Sequence, residues 1–211
     1  MFARIAVLVT ASAVLVSSAL MGTAALADVP AQRFMRVYGT AAPPYGFVQF
    51  CQSFQDECRA PDTMSSRRFD ATTARLAELD EINRAVNLAV APATDEEIFG
   101  VREHWTMPGA RGDCEDYVLL KRRMLMERGW PASALLITVV FDENDEGHAV
   151  LTARTAQGDF VLDNKTNALL SWEATPYRYV MRQSYLNPQV WMALDPSMTQ
   201  SPQALAGLAT Q

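Results

Sequence analysis

The chain has 211 residues, with 18 basic against 24 acidic side chains and a formal net charge of −6 at pH 7. That balance, with no basic patch, argues against a nucleic-acid partner. Beyond the first 27 residues no apolar run is long enough to span a membrane, and what remains is long enough for one domain with a real core.

Residues 1–27, MFARIAVLVTASAVLVSSALMGTAALA, place Arg4 before an apolar run and end on Ala25-Leu26-Ala27. This is the pattern of a secretory signal peptide with an A-x-A cleavage site, and it predicts export, to the periplasm in a bacterium. A retained membrane anchor is the alternative. Residues 28–70 read as irregular, with a short strand-like piece at Tyr45–Phe50 after Ala42-Pro43-Pro44. Cys51 and Cys58 bracket a short loop, CQSFQDEC, and Cys114 lies far along the chain. In an oxidising compartment this arithmetic predicts a Cys51–Cys58 disulfide and a free Cys114; two further free thiols are the alternative.

Residues 71–90 repeat Leu76, Leu79, Ile82, Val86 and Val90 at helical spacing, and Pro92 stops the helix. The acid-rich residues 94–110 read as a loop with one or two turns, containing His104 and Trp105. A second helix is predicted from Asp113 as N-cap to Gly129 as C′ residue, with Cys114 at its first position. The pattern then turns to strands at 134–142, 147–155, 159–164 and 175–184. The tail 196–211 is low in large apolar residues and is expected to be disordered. The predicted organisation is therefore a signal peptide at 1–27, one domain at 28–195 and a tail. Helices precede an antiparallel sheet, which is an α+β order.

Cys114 stands among Asp113, Glu115 and Asp116. Negative neighbours disfavour the reactive thiolate, and a helix N-terminus offsets them only in part. Pairing outward from a turn near Ala156–Gln157 brings His148 close to Asp163 on adjacent strands. A cysteine on a helix N-terminus with such a His-Asp pair follows the nucleophile–base–orienter logic of cysteine hydrolases. On spacing alone, a structural cysteine, a surface histidine and a turn aspartate remain an equal alternative. His104 lacks a predicted acidic partner. DENDEG at 142–147 resembles the start of an EF-hand loop, but its twelfth position is Ala153, so that match fails.

The segments Gly112-Asp113-Cys114-Glu115-Asp116-Tyr117, His148-Ala149-Val150-Leu151 and Leu162-Asp163-Asn164 occur in this order. Together they resemble the bacterial transglutaminase-like cysteine proteinase family. Smaller pieces agree: Ala42-Pro43, Phe50-Cys51, Ile82-Asn83 with Val86-Asn87, and Trp105 with Pro108. The resemblance covers most of residues 38–195. It implies a papain-like, transglutaminase-like fold with Cys114 as nucleophile, His148 as base and Asp163 as orienter. It also implies a calcium site formed by Asp113 and Glu115, with Asp116 a third ligand. A protein substrate at the cell surface or outer membrane goes with it. Trp105 and the Cys114 backbone N–H are the candidates for the oxyanion pocket. Transglutamination or deamidation on the same triad is the alternative activity, and a calcium-dependent binding protein without catalysis is the alternative class.

Overall fold

The two long helices and the four longer strands follow from the residue patterns above; the other helices and the short strands do not. The computed structural model describes residues 32–60 and 68–199. The expected signal peptide and the tail beyond residue 199 lie outside them. Strand β1 (Gly39–Ala41) leads through Pro43 and Pro44 into helix α1 (Tyr45–Ser53), where the sequence suggested a strand. Phe and Val favour strands, but Phe47, Phe50, Cys51 and Phe54 recur at helical spacing, and Phe47 and Phe50 are buried together. A 3-10 turn, Gln55–Cys58, follows and closes the predicted Cys51–Cys58 disulfide.

Helix α2 (Thr73–Ala89) is capped by Thr72, whose hydroxyl accepts the Arg75 N–H at 3.3 Å. Strand β2 (Ala91–Pro92) and helix α3 (Asp95–Phe99) come next. Helix α3 carries a capping box in which Thr94 and Glu97 bond each other's backbone N–H groups. That signal lay in the Thr-x-x-Glu spacing of a stretch read as loop. Strand β3 (Arg111–Gly112) pairs in parallel with β2, Ala91 opposite Arg111 and Pro92 opposite Gly112. Helix α4 (Cys114–Glu127) starts at the expected residue with Asp113 at its N-cap, and Gly129 takes the left-handed conformation just beyond it.

Strands β4 (Leu135–Phe141), β5 (Gly147–Arg154), β6 (Asp159–Leu162), β7 (Leu170–Ser171), β8 (Arg178–Gln183) and β9 (Trp191–Ala193) complete an antiparallel sheet with the order β1-β9-β8-β4-β5-β6-β7. Pro196–Met198 form a short 3-10 turn. The architecture is α+β, with α2 and α4 packed on one sheet face. Leu79, Ile82, Leu119, Leu125, Ala149 and Leu151 meet there in the main core. Burying each large aliphatic side chain stabilises the fold by about 1.5–3 kcal/mol. The opposite face buries Met35, Val140, Val150 and Val161 in a smaller cluster. No helix among the described residues is long and apolar enough to cross a membrane.

The disulfide loop is also fastened to α4, because Glu57 accepts the Arg123 Nε–H at 2.8 Å and its carbonyl accepts Arg122 at 3.2 Å. Closing so short a loop stabilises by roughly 2–3 kcal/mol on the chain-entropy account. Replacing Cys51 and Cys58 by serine is expected to lower Tm by about 4–12 °C in a thermal melt. An unchanged melt would mean that the contacts of Glu57 alone hold the loop.

Candidate active site

Cys114 opens α4, and its side chain is half-buried. The β5–β6 ladder stops at Leu151 opposite Leu162, which leaves the start of β5 open on that side. The Ala149 backbone N–H, one residue past His148, lies there on the side of the Cys114 sulfur and favours its thiolate. The thiol itself donates to Glu115 Oε2 at 2.9 Å. Burial pushes the thiol well above its usual range, the charges of Glu115 and Asp113 add to this, and the Ala149 N–H opposes it. In this state burial, with the acids adding to it, keeps the thiol protonated.

His148 and Asp163 are both buried, and His148 Nε2 lies 2.9 Å from Asp163 Oδ1. An ionised carboxylate only accepts, so Nε2 carries the proton and Nδ1 is left as the basic nitrogen. Burial alone would push Asp163 up. The bonds from His148, Tyr177 and the Lys165 N–H outweigh it and hold the carboxyl below its usual range. The main chain of Asp163 is gripped from α2: its N–H donates to Asn83 Oδ1 at 3.0 Å, and its carbonyl accepts Asn87 Nδ2 at 2.9 Å. Lys165 reaches back to Asp142, whose other oxygen caps the turn before β5 through the Asn144 and Glu146 N–H groups. The residues of the failed EF-hand match are thus an Asx-capped hairpin turn beside His148.

Two concavities flank Cys114. One, of about 480 Å³, is lined by Pro43, Trp105, Glu115, Val139, His148 and Met181. The other, of about 340 Å³, is lined by Pro92, Thr94, Asp113, Cys114 and Asn164. A larger concavity of about 650 Å³ lies on α1 beside the disulfide, away from this chemistry. Trp105 is buried against Phe47, and its Nε1–H donates to Glu103 Oε1 at 2.7 Å. It forms a wall of the cleft while its N–H is already engaged. The His104 ring lies against Phe99, far in role from the Asp163 pair.

Asp95, Asp113 and Asp116 bring one carboxylate oxygen each within 4.8 Å of the others. Asp95 Oδ1, Asp113 Oδ1 and Asp116 Oδ2 are buried and have no hydrogen-bond partner among the described residues. Burial raises Asp113 to about 8, helped by Glu115 and Asp95, and raises Asp116 to about 7. The remaining oxygens of Asp95 and Asp116 accept the His104 and Thr106 N–H groups, so the cluster also holds the segment carrying Trp105. Gly112 makes room for it, since a Cβ there would come within 2.7 Å of Asp116 Oδ2. Two of the three acids expected from the sequence, Asp113 and Asp116, meet in this cluster. Glu115 lies outside the group of three and turns to Cys114, and Asp95 takes a place that the sequence did not assign.

A family model described as bacterial transglutaminase-like cysteine proteinase matches residues 37–199. The chain belongs to this family. It is a transglutaminase-like cysteine peptidase, and its substrate is a protein. No curated protein matches the chain. Among solved structures it is similar to LapG of Legionella pneumophila, with 25% identity over 57% of this chain and 70% of that one, at a TM-score of 0.48. The calcium-bound form of LapG shares 21% identity over 64% of this chain and 80% of that one, again at 0.48. The EGTA-treated form shares 25% over 61% and 73%, with the same TM-score.

Proposed function

We propose that this peptidase hydrolyses a peptide bond through Cys114, His148 and Asp163, and that Asp95, Asp113 and Asp116 hold a calcium ion beside the nucleophile. The observation that carries the triad is the buried His148–Asp163 bond, 2.9 Å long, with Cys114 at the first position of α4. Asp163 keeps the proton of His148 on Nε2. Nδ1 then takes the Cys114 proton, and the thiolate adds to the substrate carbonyl carbon. The Cys114 backbone N–H, one of the first in α4 and so without an intrahelical partner, is the donor for the developing oxyanion. The imidazolium returns its proton to the leaving amine, which leaves a thioester on Cys114. Water, deprotonated by His148, hydrolyses the thioester and frees the thiol.

The acid cluster fits a hard cation: buried carboxylate oxygens converge without donors of their own. When bound, calcium supplies positive charge that offsets the acids around Cys114. Arg4, the apolar run and Ala25-Leu26-Ala27 support export through a signal peptide, and so a periplasmic enzyme acting on a surface or outer-membrane-associated protein. Transamidation or deamidation differs only in the acceptor or leaving group at the same thioester, and an added primary amine would separate them.

The test is iodoacetamide labelling of the non-reduced protein followed by peptide mapping. Cys51 and Cys58 are closed as a disulfide, so Cys114 is the one thiol to label. Labelling is expected to be fast with calcium, and at least about tenfold slower with EGTA or after His148→Ala. Slow labelling under every condition would make Cys114 a structural cysteine and sink the triad.

A further inference from the structure

We propose that Tyr177 is a positioning residue for the Asp163–His148 pair. The inference rests on the triad above and adds a residue that no sequence pattern singles out. Tyr177 lies one residue before β8, and its hydroxyl donates to Asp163 Oδ2. The other oxygen, Oδ1, takes both His148 Nε2–H at 2.9 Å and the Lys165 N–H at 3.0 Å. The Tyr177 ring meets the imidazole edge-on, with centroids 5.5 Å apart and planes at 69°. One side chain therefore touches both the orienter and the base.

The rest of the site shows why this hydroxyl has work left to do. Asn83 and Asn87, one turn apart on α2, fix the main chain of Asp163 on both sides. They leave rotation of the carboxylate about its Cβ–Cγ bond uncontrolled. Lys165 N–H and His148 both load Oδ1, so a donor on Oδ2 is what sets the carboxylate plane. The phenol suits this task because burial and the neighbouring Asp163 charge hold it above its usual range, which keeps it a donor. Without the hydroxyl, a buried carboxylate oxygen loses its donor, and the plane that aims Nε2–H, and with it Nδ1, is no longer fixed.

Tyr177→Phe keeps the ring and removes only the donor. The side chain is half-buried and its ring packing is kept, so the unpaired Asp163 oxygen is expected to lower Tm by about 2–12 °C without unfolding the variant. With saturating calcium, Cys114 carbamidomethylation by iodoacetamide is expected to slow about tenfold, the loss of roughly one charge-assisted hydrogen bond. The buried His148 Nε2–H proton should give a sharp downfield NMR signal in the wild type and a shifted or broadened one in the variant. Tyr179→Phe is the control: that hydroxyl bonds Thr175 Oγ1 at 2.9 Å, and its loss should change neither readout. An unmoved resonance, or a labelling rate equal to the wild type, overturns the proposal. If wild-type Cys114 resists labelling with and without calcium, the triad itself has failed, and the proposal falls with it; that result is distinct, because it precedes any substitution.

Discussion

Cys114→Ala is expected to abolish peptide hydrolysis, and His148→Ala to cost nearly as much, on the order of 10⁴- to 10⁶-fold in kcat/KM. The two act as one unit. The sulfur is held well above its usual range by burial and by Glu115, so without a base it stays protonated and unreactive. The imidazole in turn has nothing to do once the sulfur is gone. The double variant should therefore be no slower than Cys114→Ala alone, a non-additivity that independent contributions could not give. Asp163→Asn belongs to the same series. An amide at that place can donate where the carboxylate only accepts, so it no longer forces the proton of His148 onto Nε2. A loss of about 10⁴-fold is expected from that change. Steady-state hydrolysis of a cleaved protein substrate, measured for all four variants at matched folding, checks the set. Full activity in Cys114→Ala would remove the nucleophile assignment outright. Additive losses in the double variant would mean that His148 acts elsewhere than on Cys114.

How much of this site could be seen in the sequence depended on how far apart its members lie. The placement of Cys114 needed only a cap, a periodic face and Gly129 as a stop. The His148–Asp163 pairing needed only the turn at Ala156–Gln157, since a hairpin fixes its own register. Asp95 could not be found in that way. It joins Asp113 because β2 and β3, two residues each, pair in parallel and set the starts of α3 and α4 side by side. Strands that short leave no periodic trace, and in the TDEE run any acid would have served. Tyr177 was hidden for a related reason. Its run reads as a strand, but Tyr177 precedes β8, and its bond to Asp163 is made across the sheet rather than along it. The α1 misreading was different in kind. The helical spacing of Phe47, Phe50 and Phe54 was present, and β-favouring residue types masked it.

Calcium is expected to raise Tm by about 5–10 °C at a concentration near a hundred times its Kd, and Asp95→Asn to remove most of that rise. The sign with pH follows from the acids themselves. Asp113 at about 8 and Asp116 at about 7 lie above the ordinary carboxylate value of 3.8 that the unfolded chain would show. A folded-state value raised in this way means that the native protein holds protons the unfolded chain has released. The metal-free protein therefore loses stability as pH rises from about 4 through about 8. A cation needs those same oxygens deprotonated, so its stabilising effect should grow across that window, with proton release on binding. Glu115→Gln separates the two descriptions of the ligand set. Glu115 faces the thiol and stands outside the group of three, so this variant should keep most of the calcium-induced rise in Tm. Differential scanning calorimetry with calcium and with EGTA, at pH 6 and pH 8, decides between them. Loss of the rise in Glu115→Gln with its retention in Asp95→Asn would return the site to the acids flanking Cys114. Loss in Asp95→Asn alone would place the ion where the two short parallel strands bring α3 and α4 together, behind the nucleophile and under the segment that carries Trp105.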